Sequence, residues 1–222
     1  MKKKQQRNCL IAAGVLAAFA LWTGLVRCID VRPVGPEGSA VGFAAVNQWF
    51  HTLTGVHMNL YELTDWLSII PLGIVAGFGI LGLAQLLKRR SILKVDRSIL
   101  LLGGFYIAVM VLFVFFEIVV INYRPVLING LLEASYPSST TMLVLCVMPT
   151  ALIQLKARIK VKGLKKVIAV TIILFDLFMV TGRLISGVHW LSDIVGGALL
   201  SAGLVLLYRA VSLPFLEAEN KK

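Results

Sequence analysis

The chain has 222 residues, of which 58% are hydrophobic and 15% are charged, and its formal net charge is +11. Soluble domains are nearer a quarter charged, so this composition excludes a soluble enzyme and indicates an integral membrane protein. The positive charge does not indicate nucleic-acid binding, because the basic residues flank apolar runs instead of forming one patch. The three cysteines, Cys9, Cys28 and Cys146, show neither metal-ligand nor disulfide spacing, and nothing predicts a cofactor.

The first predicted span is the apolar run 9–26, which follows a basic N-terminus and is long enough to cross a bilayer. A cleaved signal peptide is the competing interpretation, because Ala18-Phe19-Ala20 resembles a cleavage site. The apolar run continues past that site to Val26, which favours an uncleaved anchor. In either case the chain emerges on the outer side of the membrane.

The segment 27–66 is the longest stretch without a predicted span. Its apolar residues repeat at helical spacing from Phe43 to Leu53, and its aromatic residues suit the headgroup level. We therefore expect one or two short helices on the outer membrane surface. His51 and His57 fall here without an acidic partner at an informative spacing, so we interpret them as interfacial.

Five more apolar runs follow, at 67–87, 99–121, 138–155, 167–182 and 193–211. The sequence thus predicts an all-α integral membrane protein, a six-transmembrane-helix bundle with short interfacial helices between the first and second spans. We expect a single membrane domain over 1–222. Only four of the 22 basic residues fall in the predicted outer loops, namely Arg27, Arg32, Arg124 and Arg183. By the positive-inside rule both termini are cytoplasmic. The small size of the chain suggests a bacterial plasma membrane.

The loop before the last span reads Arg-x5-His-x3-Asp, with Arg183, His189 and Asp193. If Asp193 lies in the first turn of the following helix, it approaches His189 at i,i+4 spacing. A carboxylate beside an imidazole fixes its tautomer and raises the basicity of the other ring nitrogen, while an arginine offers donors suited to phosphate. This set suits phosphoryl transfer through a covalent intermediate. The alternative is a loop with an interfacial histidine and a helix-capping aspartate.

Two other polar clusters lie at the same predicted outer face. They are Arg124-Pro125 and Pro137-Ser138-Ser139-Thr140. Ser138 is a good helix cap, and exposed amides at a helix N-terminus also attract anions, so capping and phosphate binding are compatible. Three separate clusters at one face favour a catalytic site. We see no group of carboxylates or histidines there able to hold a metal ion.

From 117 to 193 the chain resembles the type-2 phosphatidic acid phosphatase family of membrane lipid phosphatases. That family has the motifs Lys-x6-Arg-Pro, Pro-Ser-Gly-His and Ser-Arg-x5-His-x3-Asp, and a six-helix bundle with its site at the outer membrane edge. The resemblance implies that His189 is the nucleophile that becomes phosphohistidine and that Asp193 orients it. Phosphate would then be held by Arg124, Arg183, Ser138, Ser139 and nearby backbone amides. The first half of the chain resembles the family only in topology.

The match is partial. Glu117 stands at the position of the motif lysine, Ser139 replaces glycine, Thr140 replaces the general-acid histidine, and Gly182 replaces serine. Glu117 is either a replacement acid or one half of an ion pair with Arg124, seven residues further on. Asp176 stands in the same relation to Arg183 and suggests a second such pair.

The replacement of the general-acid histidine by Thr140 affects which leaving group, and therefore which substrate, is expected. An alkoxide leaving group, with a pKa on the scale of ~15.7 for water, needs a proton, whereas a phosphate monoester, with a second pKa near ~6, leaves with little help. The expected function is therefore a lipid phosphatase or diphosphatase, tilted toward a polyprenyl diphosphate such as undecaprenyl diphosphate. The expected partners are that lipid substrate and the bilayer, without nucleic acid. The alternative is a catalytically degenerate member that binds anionic lipid without turnover.

Overall fold

The computed structural model describes residues 2–219, which are almost entirely helical. The helices are α1 Lys2–Cys28, α2 Ala44–Thr54, α3 Met58–Leu67, α4 Ile69–Arg89, α5 Arg97–Ile118, α6 Ser139–Arg158, α7 Lys162–Ile185 and α8 Leu191–Glu219. Six helical segments are long and apolar enough to cross a membrane: Gln5–Cys28, Met58–Arg89, Arg97–Ile118, Ser139–Arg158, Lys162–Ile185 and Leu191–Glu219. The prediction of an all-α membrane protein with six spans is confirmed.

The helices α2 and α3 lie between the first span and α4, as predicted, but α3 runs almost directly into α4. Ser68 joins them with a helical backbone, and its hydroxyl donates to the Thr64 carbonyl at 2.9 Å. The candidate span therefore begins at Met58 and not at residue 67. The difference matters for the site, because α3 carries side chains from the outer loops toward the bundle.

The helix α6 forms the centre of the bundle and packs against α4, α5, α7 and α8, while α1 packs along α8. One core cluster joins α1, α5, α6 and α8 and contains Val26, Val109, Met142, Cys146 and Leu200. The exposed large hydrophobic side chains lie mostly on α4, α5 and α7. In a membrane protein lipid covers such surfaces, so we infer that the exposed faces of these helices contact lipid.

A short hairpin connects α5 to α6 and was not among the predicted elements. The amide of Ser135 donates to the Asn122 carbonyl at 2.9 Å, and the amide of Arg124 donates to the Glu133 carbonyl at 3.0 Å. At the tip, Asn129 and Gly130 both have positive φ. This pair is the preferred one for a two-residue hairpin turn. The hairpin holds residues 122–124 beside residues 133–135, at the end of the bundle that contains the N-terminus of α6.

Candidate active site

His189 is the centre of a buried hydrogen-bonded chain. Its Nδ1 lies 2.9 Å from Ser135 Oγ, and that hydroxyl donates to Asp193 Oδ2 at 2.6 Å. A hydroxyl carries one proton, so a serine that donates to Asp193 must accept from the imidazole. Nδ1 of His189 therefore carries the ring proton. Nε2 is then unprotonated, as a nucleophilic histidine needs, and its lone pair accepts from Arg124 Nη1.

Asp193 is fixed by several donors and does not contact the imidazole directly. Asn122 Nδ2 donates to Oδ1 at 3.0 Å, and the amide of Trp190 donates to Oδ2 at 3.0 Å. The predicted i,i+4 approach of Asp193 to His189 is wrong in this respect, because α8 begins at Leu191 and His189 precedes it. Asp193 instead caps its own helix and reaches His189 through Ser135. Capping and orientation, proposed as alternatives, are combined in one side chain.

The surroundings of His189 keep it uncharged. The side chain is buried, and burial lowers the pKa of His189 well below its usual value, with Arg124 and Arg183 lowering it further. An imidazole with so low a pKa is neutral at pH 7. Only the neutral ring can attack phosphorus.

Arg124 lies against the free face of the imidazole. Its Nη1 is 3.3 Å from His189 Nε2, and its Nε is 3.0 Å from Glu133 Oε2. The hairpin places it there, since Arg124 and Glu133 pair across the two sides of the loop. The guanidinium thus lies where an electrophile approaching Nε2 would be.

Arg183 is only 2% exposed, and among the described residues only Nη2 of its three side-chain nitrogen atoms has hydrogen-bond partners. Its Nη2 donates to Thr140 Oγ1 at 2.6 Å and pairs with Asp65 Oδ1 at 2.7 Å. Its Nε and Nη1 have no hydrogen-bond partner among the described residues. Buried donors without partners are costly, so they mark a place for an anion.

The N-terminus of α6 points into the same region. Ser138 is fully buried, its hydroxyl accepts from the Thr141 amide at 3.5 Å, and its own amide donates to the Asp193 carbonyl at 3.1 Å. Ser139 and Thr140 form the first turn. The first amides of a helix lack partners within the helix, and the helix dipole favours negative charge there.

Five of the predicted site residues, Arg124, Thr140, Arg183, His189 and Asp193, are joined directly or through Ser135 and neighbouring side chains.

An apolar cavity of about 300 Å³ opens beside this site, between α4, α5 and α6. Asp65, Ser139 and Thr140 lie on its polar side. The remaining lining is mostly aliphatic and aromatic, and includes Leu72, Met110, Phe113, Leu143 and Val147. A polar phosphate-sized site therefore continues directly into an apolar space within the bundle.

Residues 119–215 match the family model described as "PAP2 superfamily". This part of the chain is therefore similar to the PAP2 superfamily. A solved structure described as the first transmembrane PAP2 type phosphatidylglycerolphosphate phosphatase from Bacillus subtilis matches with a TM-score of 0.58. The identity is 16%, and the match covers 91% of this chain and 95% of that one. At this identity the likeness shows a shared fold. No curated protein sequence matches the chain significantly.

Both predicted ion pairs, Glu117 with Arg124 and Asp176 with Arg183, are wrong. Arg124 pairs with Glu133, and Arg183 pairs with Asp65. Arg124 lies beyond α5, which ends at Ile118, so the seven-residue spacing does not bring it back to Glu117. Asp176 and Arg183 do share α7, but Arg183 is paired with Asp65 on α3 instead. Glu117 lies in the last turn of α5 and lines a small cavity with Ser135 and Ser139.

Sequence reasoning missed four residues of this site: Asn122, Ser135, Tyr61 and Asp65. The Asn129-Gly130 turn signal would have paired the two halves of the hairpin and placed Asn122 beside Ser135. Tyr61 and Asp65 stand at i,i+4 on α3, so they share one helix face. Nothing local shows that this face packs on α7. His51 also contacts the motif loop, with Nε2 3.1 Å from the Gly187 carbonyl oxygen.

Within residues 2–219 no group of three or more His, Cys, Asp or Glu side chains is arranged to hold a metal ion. Metal-independence of the reaction stays a prediction.

Proposed function

We propose that this chain is a lipid phosphatase or diphosphatase that works at the outer membrane face through a phosphohistidine at His189. The observation that carries the proposal is the state of the imidazole. Nδ1 is protonated and fixed through Ser135 to Asp193, while the Nε2 lone pair faces Arg124 at 3.3 Å. This arrangement suits nucleophilic attack on phosphorus.

In the first step Nε2 of His189 attacks the terminal phosphorus. The bond from that phosphorus to its leaving oxygen breaks with its electrons on that oxygen, which is the bridging oxygen of a diphosphate or the lipid oxygen of a monophosphate. The charge on the transferring oxygens is stabilised by Arg124, by the free donors of Arg183 and by the N-terminus of α6. The Ser135–Asp193 chain stabilises the positive charge that develops on the imidazole. In the second step water attacks the phosphohistidine and releases inorganic phosphate.

The lipid nature of the substrate is supported by the cavity beside Thr140. Thr140 and Asp65, both bonded to Arg183, line it, and its apolar lining continues between α4, α5 and α6. A phosphate held at Arg183 can therefore keep its hydrocarbon chain within the bundle or in the adjoining bilayer.

The leaving group that fits this site best is itself a phosphate. Thr140, whose hydroxyl accepts a bond from Arg183, is not an acid at neutral pH. General-acid help is typically worth about 10²–10⁴-fold, and an alkoxide needs it far more than a departing phosphate does. This favours a polyprenyl diphosphate, such as undecaprenyl diphosphate, over phosphatidic acid.

The distribution of basic residues supports an outer-face location for this site. The arginines of the site are among the four basic residues in outer loops, whereas the other connections are strongly basic. The rule that basic loops stay inside then puts both termini in the cytoplasm, as in a bacterial plasma membrane. The catalytic region is 117–193 within one membrane domain.

A second candidate is a member that binds anionic lipid without turnover. Thr140 and Glu117, at the positions of the family's histidine and lysine, favour it. The arginines and the α6 N-terminus suffice for binding, whereas turnover needs His189.

The test is phosphate release by the purified full-length protein from matched lipid monophosphates and diphosphates. We expect release from diphosphates above monophosphates, abolished by His189→Ala and retained by His57→Ala, whose ring contacts only the Thr54 carbonyl. Binding of these lipids without release of phosphate would establish the second candidate. Activity retained in His189→Ala would contradict the first.

A further inference from the structure

The two arginines of the site are each held by a carboxylate that reaches in from the solvent. Asp65 is 62% exposed and Glu133 is 40% exposed, whereas Arg183 is 2% and Arg124 is 11% exposed. Glu133, which lies on the hairpin outside the spans, can turn back into water at little cost, and the exposure of Asp65 leaves it room to turn away from Arg183. The guanidinium groups are enclosed and stay where they are.

Both ion pairs leave hydrogen-bonding capacity unused. Asp65 accepts a hydrogen bond from Nη2 of Arg183 and leaves Nε and Nη1 without partners among the described residues. Glu133 Oε2 lies 3.0 Å from Arg124 Nε, but that N–H is not aligned with it as a hydrogen bond. A group with more acceptor oxygens than one carboxylate oxygen satisfies these donors better, and a terminal phosphate is such a group.

Tyr61 supplies a fixed surface for both guanidinium groups. Its ring centroid is 4.6 Å from Cζ of Arg183 and 5.8 Å from Cζ of Arg124. Contacts of this kind attract cations to the ring face and do not depend on the carboxylates. The arginines therefore keep a support when Asp65 and Glu133 leave.

We propose, on the basis of the proposed function, that Asp65 and Glu133 are exchangeable counter-ions that select terminal phosphates over phosphodiesters. In the empty site they neutralise the two arginines. An incoming anion must replace them, since otherwise its charge would add to theirs. A terminal phosphate carries about −1.5 to −2 charges at pH 7 and can replace both, whereas a phosphodiester carries one.

This selection answers a problem of the membrane setting. Bulk phospholipids are phosphodiesters and surround the protein in great excess over any lipid with a terminal phosphate. The two arginines without counter-ions would bind those diesters. Because a ligand must displace Asp65 and Glu133 before it can pair with the arginines, these carboxylates favour the more highly charged ligand.

The experiment measures binding of two soluble probes, methyl phosphate and dimethyl phosphate, to the full-length protein in detergent by calorimetry. The variants are Asp65→Asn and Glu133→Gln, with Glu62→Gln as the matched control on the exposed side of α3. The wild type should bind methyl phosphate and reject dimethyl phosphate. Each variant should bind both probes more tightly, by about five-fold for one partly exposed ion pair, and its preference for methyl phosphate should shrink.

The result that overturns the inference is weaker or unchanged binding of methyl phosphate in both variants. That result would make Asp65 and Glu133 fixed supports of the arginines. It would leave the proposed function standing, because the wild type would still bind a terminal phosphate. A wild type that binds neither probe would overturn both proposals. If Asp65→Asn does not fold, Glu133→Gln carries the test, because Glu133 lies on the hairpin and not in a helix.

Discussion

The charge state of His189 sets the expected pH dependence. Burial, reinforced by the two arginines, lowers the pKa of His189, so the free imidazole stays neutral as pH falls through its ordinary value of ~6.5. The acidic limb of kcat/KM reports groups of the free enzyme and free substrate. We therefore expect no loss of kcat/KM between pH 8 and pH 6.5 when phosphate release is measured. An acidic limb of kcat/KM centred at or above pH 6.5, with a lipid substrate that does not itself titrate there, would contradict this account.

The lowered pKa of His189 also determines how the stability of the folded protein changes with pH. A histidine that is neutral when folded but protonates when unfolded contributes stability above ~6.5, and that contribution is lost as pH falls through the unfolded pKa.

Ser135 is the residue that decides the tautomer of His189. In Ser135→Ala the Nδ1–H and one Asp193 oxygen lose their common partner, and the ring is free to place its proton on Nε2. A histidine left in the wrong tautomer costs about 10⁴-fold in the Ser-His-Asp triad, so we expect roughly a 10²- to 10⁴-fold fall in kcat. Single-turnover kinetics would measure it.

Ser201→Ala is the matched control for this change, because Ser201 is also buried but bonds only the Met142 carbonyl on α6. Equal effects of the two substitutions would reduce Ser135 to a packing residue.

Thr140 tests the leaving-group argument. Thr140→His places a proton donor beside Arg183 and the cavity, so monophosphate hydrolysis should rise more than diphosphate hydrolysis. Rates on a matched lipid pair would show it, with Thr140→Asn as a control that adds size but no titratable proton. Equal stimulation of both substrates would mean that histidine at this position mainly binds phosphate. A wild type that already prefers monophosphates would refute the leaving-group argument.

At the scale of single residues, spacing predicted only those positions that lie on one continuous segment. Arg183, His189 and Asp193 stand within eleven residues, and Arg124 is marked by its proline and its place at an outer span end. Ser135 and Asp65 depend on contacts between distant segments, over 54 residues to His189 and 118 residues to Arg183. A spacing pattern holds no information about such contacts.

Among the elements, the loop between α7 and α8 depends on a glycine. Gly187 has a φ of +70°, and a Cβ there would lie 2.0 Å from the Gly55 carbonyl oxygen. Gly187→Ala should therefore push this loop away from α2, with a loss of more than ~1 kcal/mol in the free energy of unfolding and a fall in activity through His189. Thermal unfolding in detergent and kcat/KM measure the two effects.

Gly163→Ala is the control for this loop. Gly163 lies in α7 with no neighbour within 4 Å of an added Cβ, so alanine there should be neutral or stabilising. If Gly187→Ala has the same thermal stability and kcat/KM as Gly163→Ala, the close approach of Gly187 to Gly55 does not determine the position of this loop.

The helix α3 is the element that the sequence described least well. Its aromatic residues Tyr61 and Trp66 predicted a position at the headgroup level within a segment of one or two surface helices, and α3 does lie between the first span and α4. Its inner face, however, packs on α7, where Thr64 meets Gly182. The glycine that departs from the family's serine is thus the position that lets α3 approach closely, and through α3 it places Tyr61 and Asp65 at the site.

For the whole molecule, hydrophobic runs and basic loops were sufficient to predict six spans and their order, because the bilayer imposes span length and charge sidedness. Span ends were predicted less well. The helix α8 continues to Glu219, beyond the predicted end at 211, because a helix does not stop where its apolar run does. Lys221 and Lys222, counted among the inner basic residues, lie outside the described residues.

The central claim for the whole molecule is that it transfers phosphate through His189. The most direct measurement is acid-free quenching of the protein during turnover of a lipid diphosphate, followed by mass spectrometry of the peptide that contains His189. We predict phosphate on His189, labile in acid and stable in base, and none in His189→Ala. Release of phosphate by the wild type with no modified His189 at any time, and undiminished release by His189→Ala, would contradict the account.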